Sequence, residues 1–176
     1  MAKKELIYHN SDGTVVTKEY NVPDKFNEEG YLMDNRVKSI RNEFKLLPRE
    51  LTRAERGDLM DLRTLIGNDQ LLVHRSGGVW KPYTDKEIAK FLDTTERQAK
   101  RLMKRATEYK VIAKINIEGT VYYMYNPYYE RVVRRISFIV YLAFQNSQLR
   151  DCIEPMYRGK LQEQAMNSGR KIEVIE

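Results

Sequence analysis

The chain is poor in the residues that cross-linking and most catalysis require. It has 176 residues, one of them a cysteine, Cys152, and two histidines, His9 and His74. A lone cysteine excludes an intrachain disulfide, so the fold stands without oxidation, which fits a reducing compartment and predicts a cytoplasmic protein. The two histidines are far apart, and neither has a His or Cys neighbour at metal-ligand spacing. No glycine-rich phosphate loop with its lysine occurs, and Gly77-Gly78 reads as a turn. The carboxylates are scattered, with no pairing inside a motif that suggests acid/base work. An enzyme is therefore the least supported class, and no cofactor or metal is expected. Long apolar runs are missing too. The most apolar stretch, residues 136–144, falls well short of the roughly 18 residues of a membrane helix, and MAKKELIYHNSDG has no apolar run of signal-peptide length. No membrane partner is expected. Linkers rich in Gly, Ser or Pro and fixed-period repeats are absent, which predicts one domain with extensions.

What is abundant is positive charge. The 31 Lys and Arg exceed the 25 Asp and Glu, for a net charge of +6, while 41% hydrophobic content is enough for a real core. An excess of this sign favours polyanionic partners without naming one.

The local signals are dense between residues 48 and 127. LTRAERGDLMDLRTLIG opens with Thr52 and Glu55 at capping-box spacing and repeats Leu59, Leu62 and Ile66, which predicts a helix closed by Gly67 and Asn68. LLVHR, 71–75, reads as a short strand ending at the turn Ser76-Gly-Gly78. Thr84 with Glu87 is a second capping box, opening a short helix with Ile88, Ala89, Phe91 and Leu92 inward. Thr95 with Gln98 is a third, opening a longer helix in which Ala99, Leu102, Met103 and Ala106 recur at i, i+3, i+4 and i+7. Two capped helices on so short a turn predict a helix-turn-helix. The period then changes to two over 112–118, Gly119 turns, and TVYYMY returns before Asn126-Pro127, a β-hairpin that completes a winged helix. Outside this region, residues 6–20 flank Asn10-Ser-Asp-Gly13 with β-favouring residues and predict an N-terminal hairpin. Residues 129–149 read as one helix, apolar beyond a single stripe.

The expected fold class is therefore α+β, mainly helical: a winged helix-turn-helix at 48–127, an N-terminal β-hairpin and connecting segment at 1–47, and C-terminal helices and tail at 128–176. In such a module the second helix lies in the major groove, its start near base edges and its flanks near phosphates. Arg97 and Arg101 are the expected base readers, with Gln98 a weaker candidate because it borders the buried face. Thr94 sits at the helix start, and Thr95, Lys100 and Lys104 would position the backbone. Lys114, Asn116 and Thr120 would reach from the wing toward the minor groove or its phosphates, with Lys110 a further backbone contact. The tyrosines Tyr122, Tyr123, Tyr125, Tyr128 and Tyr129 read as packing between strand and helix rather than as stacking platforms.

The succession LPRELTRAERGDLMDL, TDKEIAKFL, T-x-R-Q-A-K-R and a hairpin ending Tyr122-Tyr-Met-Tyr-Asn-Pro127 resembles winged-helix replication and regulatory proteins of Gram-positive plasmids and phages, including plasmid replication initiators. The likeness covers about residues 45–150. It implies a non-enzymatic, sequence-specific binder of double-stranded DNA at an operator or an origin. The family pattern often has a glycine after the recognition helix, where this chain has Tyr109-Lys110. Winged-helix proteins commonly read two-part sites as homodimers, and the apolar 129–149 helix is the candidate dimer element, unless it closes the core against the Leu59, Leu62 and Ile66 helix. Arg131, Arg134 and Arg135 at the start of the 129–149 helix are expected either to touch DNA phosphates or to stay in solvent, with solvent favoured. The alternative is a winged-helix module that docks on an acidic partner of the replication or transcription machinery.

Overall fold

A computed structural model describes residues 2–9, 14–22, 24–33, 46–132 and 134–175, an α+β arrangement of short helices and small antiparallel sheets. The N-terminal hairpin pairs β1 (Ala2–His9) with β2 (Val15–Val22) in unbroken register, while the expected turn at residues 10–13 lies outside the described residues. Two short strands follow, β3 (Phe26–Asn27) and β4 (Gly30–Leu32).

All three capping boxes form. In α1 (Arg53–Leu62) the Thr52 hydroxyl accepts from the Glu55 N–H, and the Glu55 carboxylate accepts from the Thr52 N–H at 2.8 Å. This satisfies two of the amides that a helix start leaves without partners. The helix tightens into a 3-10 turn over Arg63–Leu65, so it ends slightly before Gly67. The chain then runs alongside a later hairpin and makes β5 (Val73–Ser76) and β6 (Val79–Pro82), a second small hairpin of which only the first strand was legible. Next come α2 (Asp85–Phe91) and α3 (Glu96–Glu108), each with its capping box, joined by residues 92–95. Asp93 takes the left-handed conformation, φ 48°, its own N–H closing back on the Lys90 carbonyl and the Thr94 N–H on the Ala89 carbonyl.

The hairpin after α3 is β7 (Ile112–Ile117) with β8 (Thr120–Tyr125). Its two faces line two different cores. Ile112, Tyr123 and Tyr125 face Leu59, Leu62, Ile88, Ala99, Leu102, Met103 and Ala106 of the helices. Ala113, Ile115 and Met124, on the other face by the alternation of a strand, belong to a second core.

That second core corrects the reading of residues 129–149 as one helix. Arg135 and Ile136 form a short strand, β9 (Arg135–Ile136), pairing with Tyr31 and Leu32 of β4, and among the described residues there only α4 (Phe138–Phe144) is α-helical. Pairing to residues a hundred positions earlier overrides a local helical pattern. The side chains of Ile139, Val140, Tyr141 and Phe144 are buried against Tyr31, Ile136, Leu149, Ile153 and Leu161, the last from α5 (Pro155–Asn167). The apolar excess of α4 thus fills its own chain's interior, on the opposite side of the hairpin from α1. The tail ends in β10 (Ile172–Ile175), which pairs with β7 and makes the sheet order β10-β7-β8. Among the described residues no helix is long and apolar enough to cross a membrane.

Candidate nucleic-acid interface

The inner side of α3 is closed: Ala99, Leu102, Met103 and Ala106 are buried. At 100° per residue, Arg97, Arg101 and Lys104 then fall within one narrow outward stripe, with Glu108 ending it. All three cations are exposed, and among the described residues none has a hydrogen bond or ion pair of its own. They form a row without close ion pairs over the first turns of the helix, with the Glu55 carboxylate near enough to feel the charge of Arg101.

The neighbours of that row are committed to holding the helix. Gln98 was a candidate adenine reader, but its carboxamide oxygen accepts from the hydroxyls of Thr94 at 2.7 Å and Thr95 at 2.8 Å and from the Thr95 N–H at 3.2 Å. An oxygen so occupied is not free for a bidentate base contact, so Gln98, Thr94 and Thr95 together are the N-terminal clamp of α3. Lys100 is paired with Glu96 one turn earlier at 2.7 Å, which raises the lysine's pKa and lowers the carboxylate's. Arg105 pairs with Glu55 at 3.0 Å and donates to the Glu50 carbonyl at 2.8 Å, fastening α3 to the start of α1.

The junction to the hairpin answers the missing glycine. Lys110 adopts φ 57°, with its own N–H on the Thr107 carbonyl and the Val111 N–H on the Ala106 carbonyl, the double closure of a Schellman motif. The Lys110 carbonyl is held by the buried Asn126 amide at 2.7 Å, and Asn126 also donates to Ser147 Oγ at 3.3 Å. A lysine therefore does the glycine's geometric work, and one buried asparagine ties α3, the hairpin and the second core. Gln70 is a comparable buried clasp, donating to the Tyr125 and Glu130 carbonyls and accepting from the Val132 N–H. Neither residue has a sequence signature that separates it from an ordinary loop amide.

Between α3 and the β10-β7-β8 sheet lies a cleft of about 660 Å³ lined by four lysines, Lys100, Lys104, Lys110 and Lys114, against two carboxylates, Asp85 and Glu108, with Met103 and Tyr123 among its apolar walls. Lys114 stands over the Tyr123 ring at 5.7 Å, inside the cleft rather than at the hairpin's tip. The Tyr123 hydroxyl donates to Asp85 at 2.7 Å; burial first, and then that carboxylate, push its pKa up, so the group stays a neutral donor. Asn116 is half-buried on the central strand, opposite Glu173 and Val121, and its Oδ1 is buried without a partner. Only Thr120, beside the Glu118-Gly119 turn, is at the exposed tip. The cations of the site thus form two groups, a row on α3 and a cleft beside it.

The remaining arginines divide differently from expectation. Arg134 is exposed, but Arg135 donates to the Gly30 carbonyl at 3.1 Å and the Asp24 carbonyl at 2.9 Å, securing the β4-β9 pairing. Tyr123, Tyr125 and Tyr129 are buried and Tyr122 and Tyr128 half-buried, as packing residues. Among the described residues no group of three or more His, Cys, Asp and Glu side chains is placed to hold a metal. His74 instead contacts Glu87 at 3.2 Å and the Tyr83 ring. Comparison with family models, with curated proteins and with solved structures finds no match to this chain.

Proposed function

We propose that this chain is a winged-helix protein that binds double-stranded DNA in a sequence-specific way, as a regulator at an operator or an initiator at an origin of the plasmid and phage type. The observation that supports it is the row of exposed, unpaired Arg97, Arg101 and Lys104 on the outer face of a helix whose inner face is buried and whose start is clamped. A rigid helix presenting bare guanidinium groups suits bidentate bonding to guanine in the major groove. The cleft lysines Lys104, Lys110 and Lys114 and the tip residue Thr120 suit phosphates on either side. Base reading rests on Arg97 and Arg101, and Gln98 enters only as the clamp.

The test is selection of bound duplexes from a random library, followed by titration of the best sequence and a scrambled one at two salt concentrations. The selected duplex is expected to win strongly. Arg97→Ala and Arg101→Ala should each remove about 1–3 kcal/mol of that preference. Lys104→Ala should weaken both duplexes alike and flatten the slope of log K against log salt by about 0.9. Equal, weak binding to every duplex would sink the reading and direct the search to an acidic protein partner.

A further inference from the structure

The hairpin β5-β6 has no part in the interface described above, yet it is built like a contact surface. VHRSGGVWKP contains no acidic residue. Trp80 is 59% exposed and Val79 61%, at the end of a hairpin that turns through Gly77 and Gly78, both with positive φ. Arg75 stands directly across from Trp80 in the ladder, and Lys81 across from His74. Arg75 and Lys81 are exposed, and among the described residues neither has a hydrogen bond or ion pair. Scattered apolar residues on a surface need no explanation, but an exposed tryptophan sharing a face with an unpaired arginine, with Lys81 on the hairpin's other face, is an amphipathic tip with cations on both sides.

Its placement follows from the ladder. Leu71 bridges Met124 antiparallel, and the Leu72 N–H donates to the Tyr123 carbonyl at 2.8 Å, so β5 leaves the body antiparallel to β8. Because β8 runs from the Glu118-Gly119 turn back to the body, β5 departs toward that same turn. The Tyr83 N–H then donates to the Leu72 carbonyl, closing the hairpin's root immediately before the cap of α2. Four residues of strand give a reach of about 13 Å from that root.

We infer that β5-β6 is a second wing, which contacts the duplex beside the α3 site with Arg75 and Lys81 on phosphates and Trp80 as an apolar tip against the groove or an opened base step. The inference rests on the DNA-binding reading. Positive charge selects the polyanion as occupant, and the contacts at the root send the tip off in the same direction as the tip of the β7-β8 hairpin. Apolar side chains inserted at a base step are an established way of gripping a minor groove, and aromatic rings stack on any unstacked base.

Trp80 is the only tryptophan in the chain, so its emission reports this tip alone. The experiment titrates the intact protein with its selected duplex while following Trp80 emission and acrylamide quenching, with retention of the duplex measured in parallel. Quenched emission and loss of acrylamide access at saturation are expected. Trp80→Ala should weaken binding about tenfold without changing the base preference set by Arg97 and Arg101, and should shorten the protected footprint on one side. Arg75→Ala and Lys81→Ala should each reduce the salt slope, as Lys104→Ala does. Saturated, Arg97-dependent binding with Trp80 emission and quenching unchanged overturns the second wing and leaves the α3 reading intact. Failure to retain any duplex overturns both.

Discussion

The two cores on either side of the β7-β8 hairpin are built by different means. The core under α1, α2 and α3 is bounded by amphipathic helices, each started by a capping box and each polar on its outer side. The core around α4 centres on a helix buried over most of its surface, enclosed by β4, β9, α5 and the other face of the sheet. The first core has an outer surface available for binding, and the second holds the sheet in place. With β10 on one edge and Asn126 at its base, the hairpin is a wall shared by both cores rather than a free arm.

If the wall is shared, damage to either core must reach the other. Phe144→Ala in the second core should cost about 3–5 kcal/mol and Leu59→Ala in the first about 2–5 kcal/mol, since both side chains are fully enclosed. Urea unfolding followed by amide exchange in α1 and in α4 should show one coincident transition, moved down by either change. Two separated transitions, with exchange in α1 unaffected by Phe144→Ala, would break the comparison and make the cores independent units.

Gly30 tests the closure of the second core at one atom. Its φ is 116°, and a Cβ there would lie 2.1 Å from the Ile136 carbonyl oxygen. Gly30→Ala combines the strain of that backbone conformation, about 1–3 kcal/mol, with a collision against backbone. Loss of the β4-β9 pairing should appear as faster amide exchange at Met33, whose N–H donates to the Arg134 carbonyl at 3.4 Å, while Leu32, bonded to the Lys25 carbonyl on the other side, is the internal control. Unchanged exchange would show that the strand pairing does not depend on that close approach.

How legible each core was in the sequence follows from the range of the interactions that make it. Thr52 with Glu55, Thr84 with Glu87 and Thr95 with Gln98 are signals three residues long, and all three boxes formed where they stand. The period-two hairpin is equally local. The second core depends on Arg135 meeting Leu32, and Val174 meeting Ile115, pairings that no window along the chain contains. Ile136, Ile139, Val140 and Ala143 keep a helical spacing even though the first of them is in a strand, so periodicity alone extended the helix too far. The site shows the same division. The outward cations of α3 were readable from spacing, whereas the engagement of Gln98 lay in a capping box that competed with its reading as a base contact. The amphipathic tip at Trp80 required the register of β5 against β6.

A smaller effect separates charge from packing within the first core. Burial alone pushes the Glu55 carboxyl up, but hydrogen bonds from the Thr52 backbone and hydroxyl and the charges of Arg105 and Arg101 outweigh it and hold the group below its ordinary value. A folded-state value below the unfolded one means that the stabilisation is complete above the unfolded value and is lost as the pH falls through the folded one. Glu55→Gln keeps an acceptor for the cap and removes the charge. It should cost about 1 kcal/mol at neutral pH and progressively less as the pH falls through the ordinary carboxylate range and below it, as the parent's carboxylate takes up its proton. A pH-independent difference in urea midpoints would assign Glu55 to the hydrogen bonds alone.

The smallest expected effect is the one in which the two roles of a single residue oppose each other. Lys110 holds a left-handed conformation that costs an L residue about 1–2 kcal/mol, and glycine there would escape that cost while losing roughly 0.5–1 kcal/mol through the greater freedom of its unfolded chain. Lys110→Gly should therefore raise stability by about 0.5–1 kcal/mol, because the closing bonds to Thr107, Ala106 and Asn126 are made by backbone atoms that the substitution leaves in place. The same change removes a cation from the cleft, so the salt slope of duplex binding should fall by about 0.9 while the preference among sequences stays fixed. A chain that is more stable and binds less tightly is the expected outcome. A gain in stability with an unchanged slope would move Lys110 out of the interface and leave it as the cap of α3 alone.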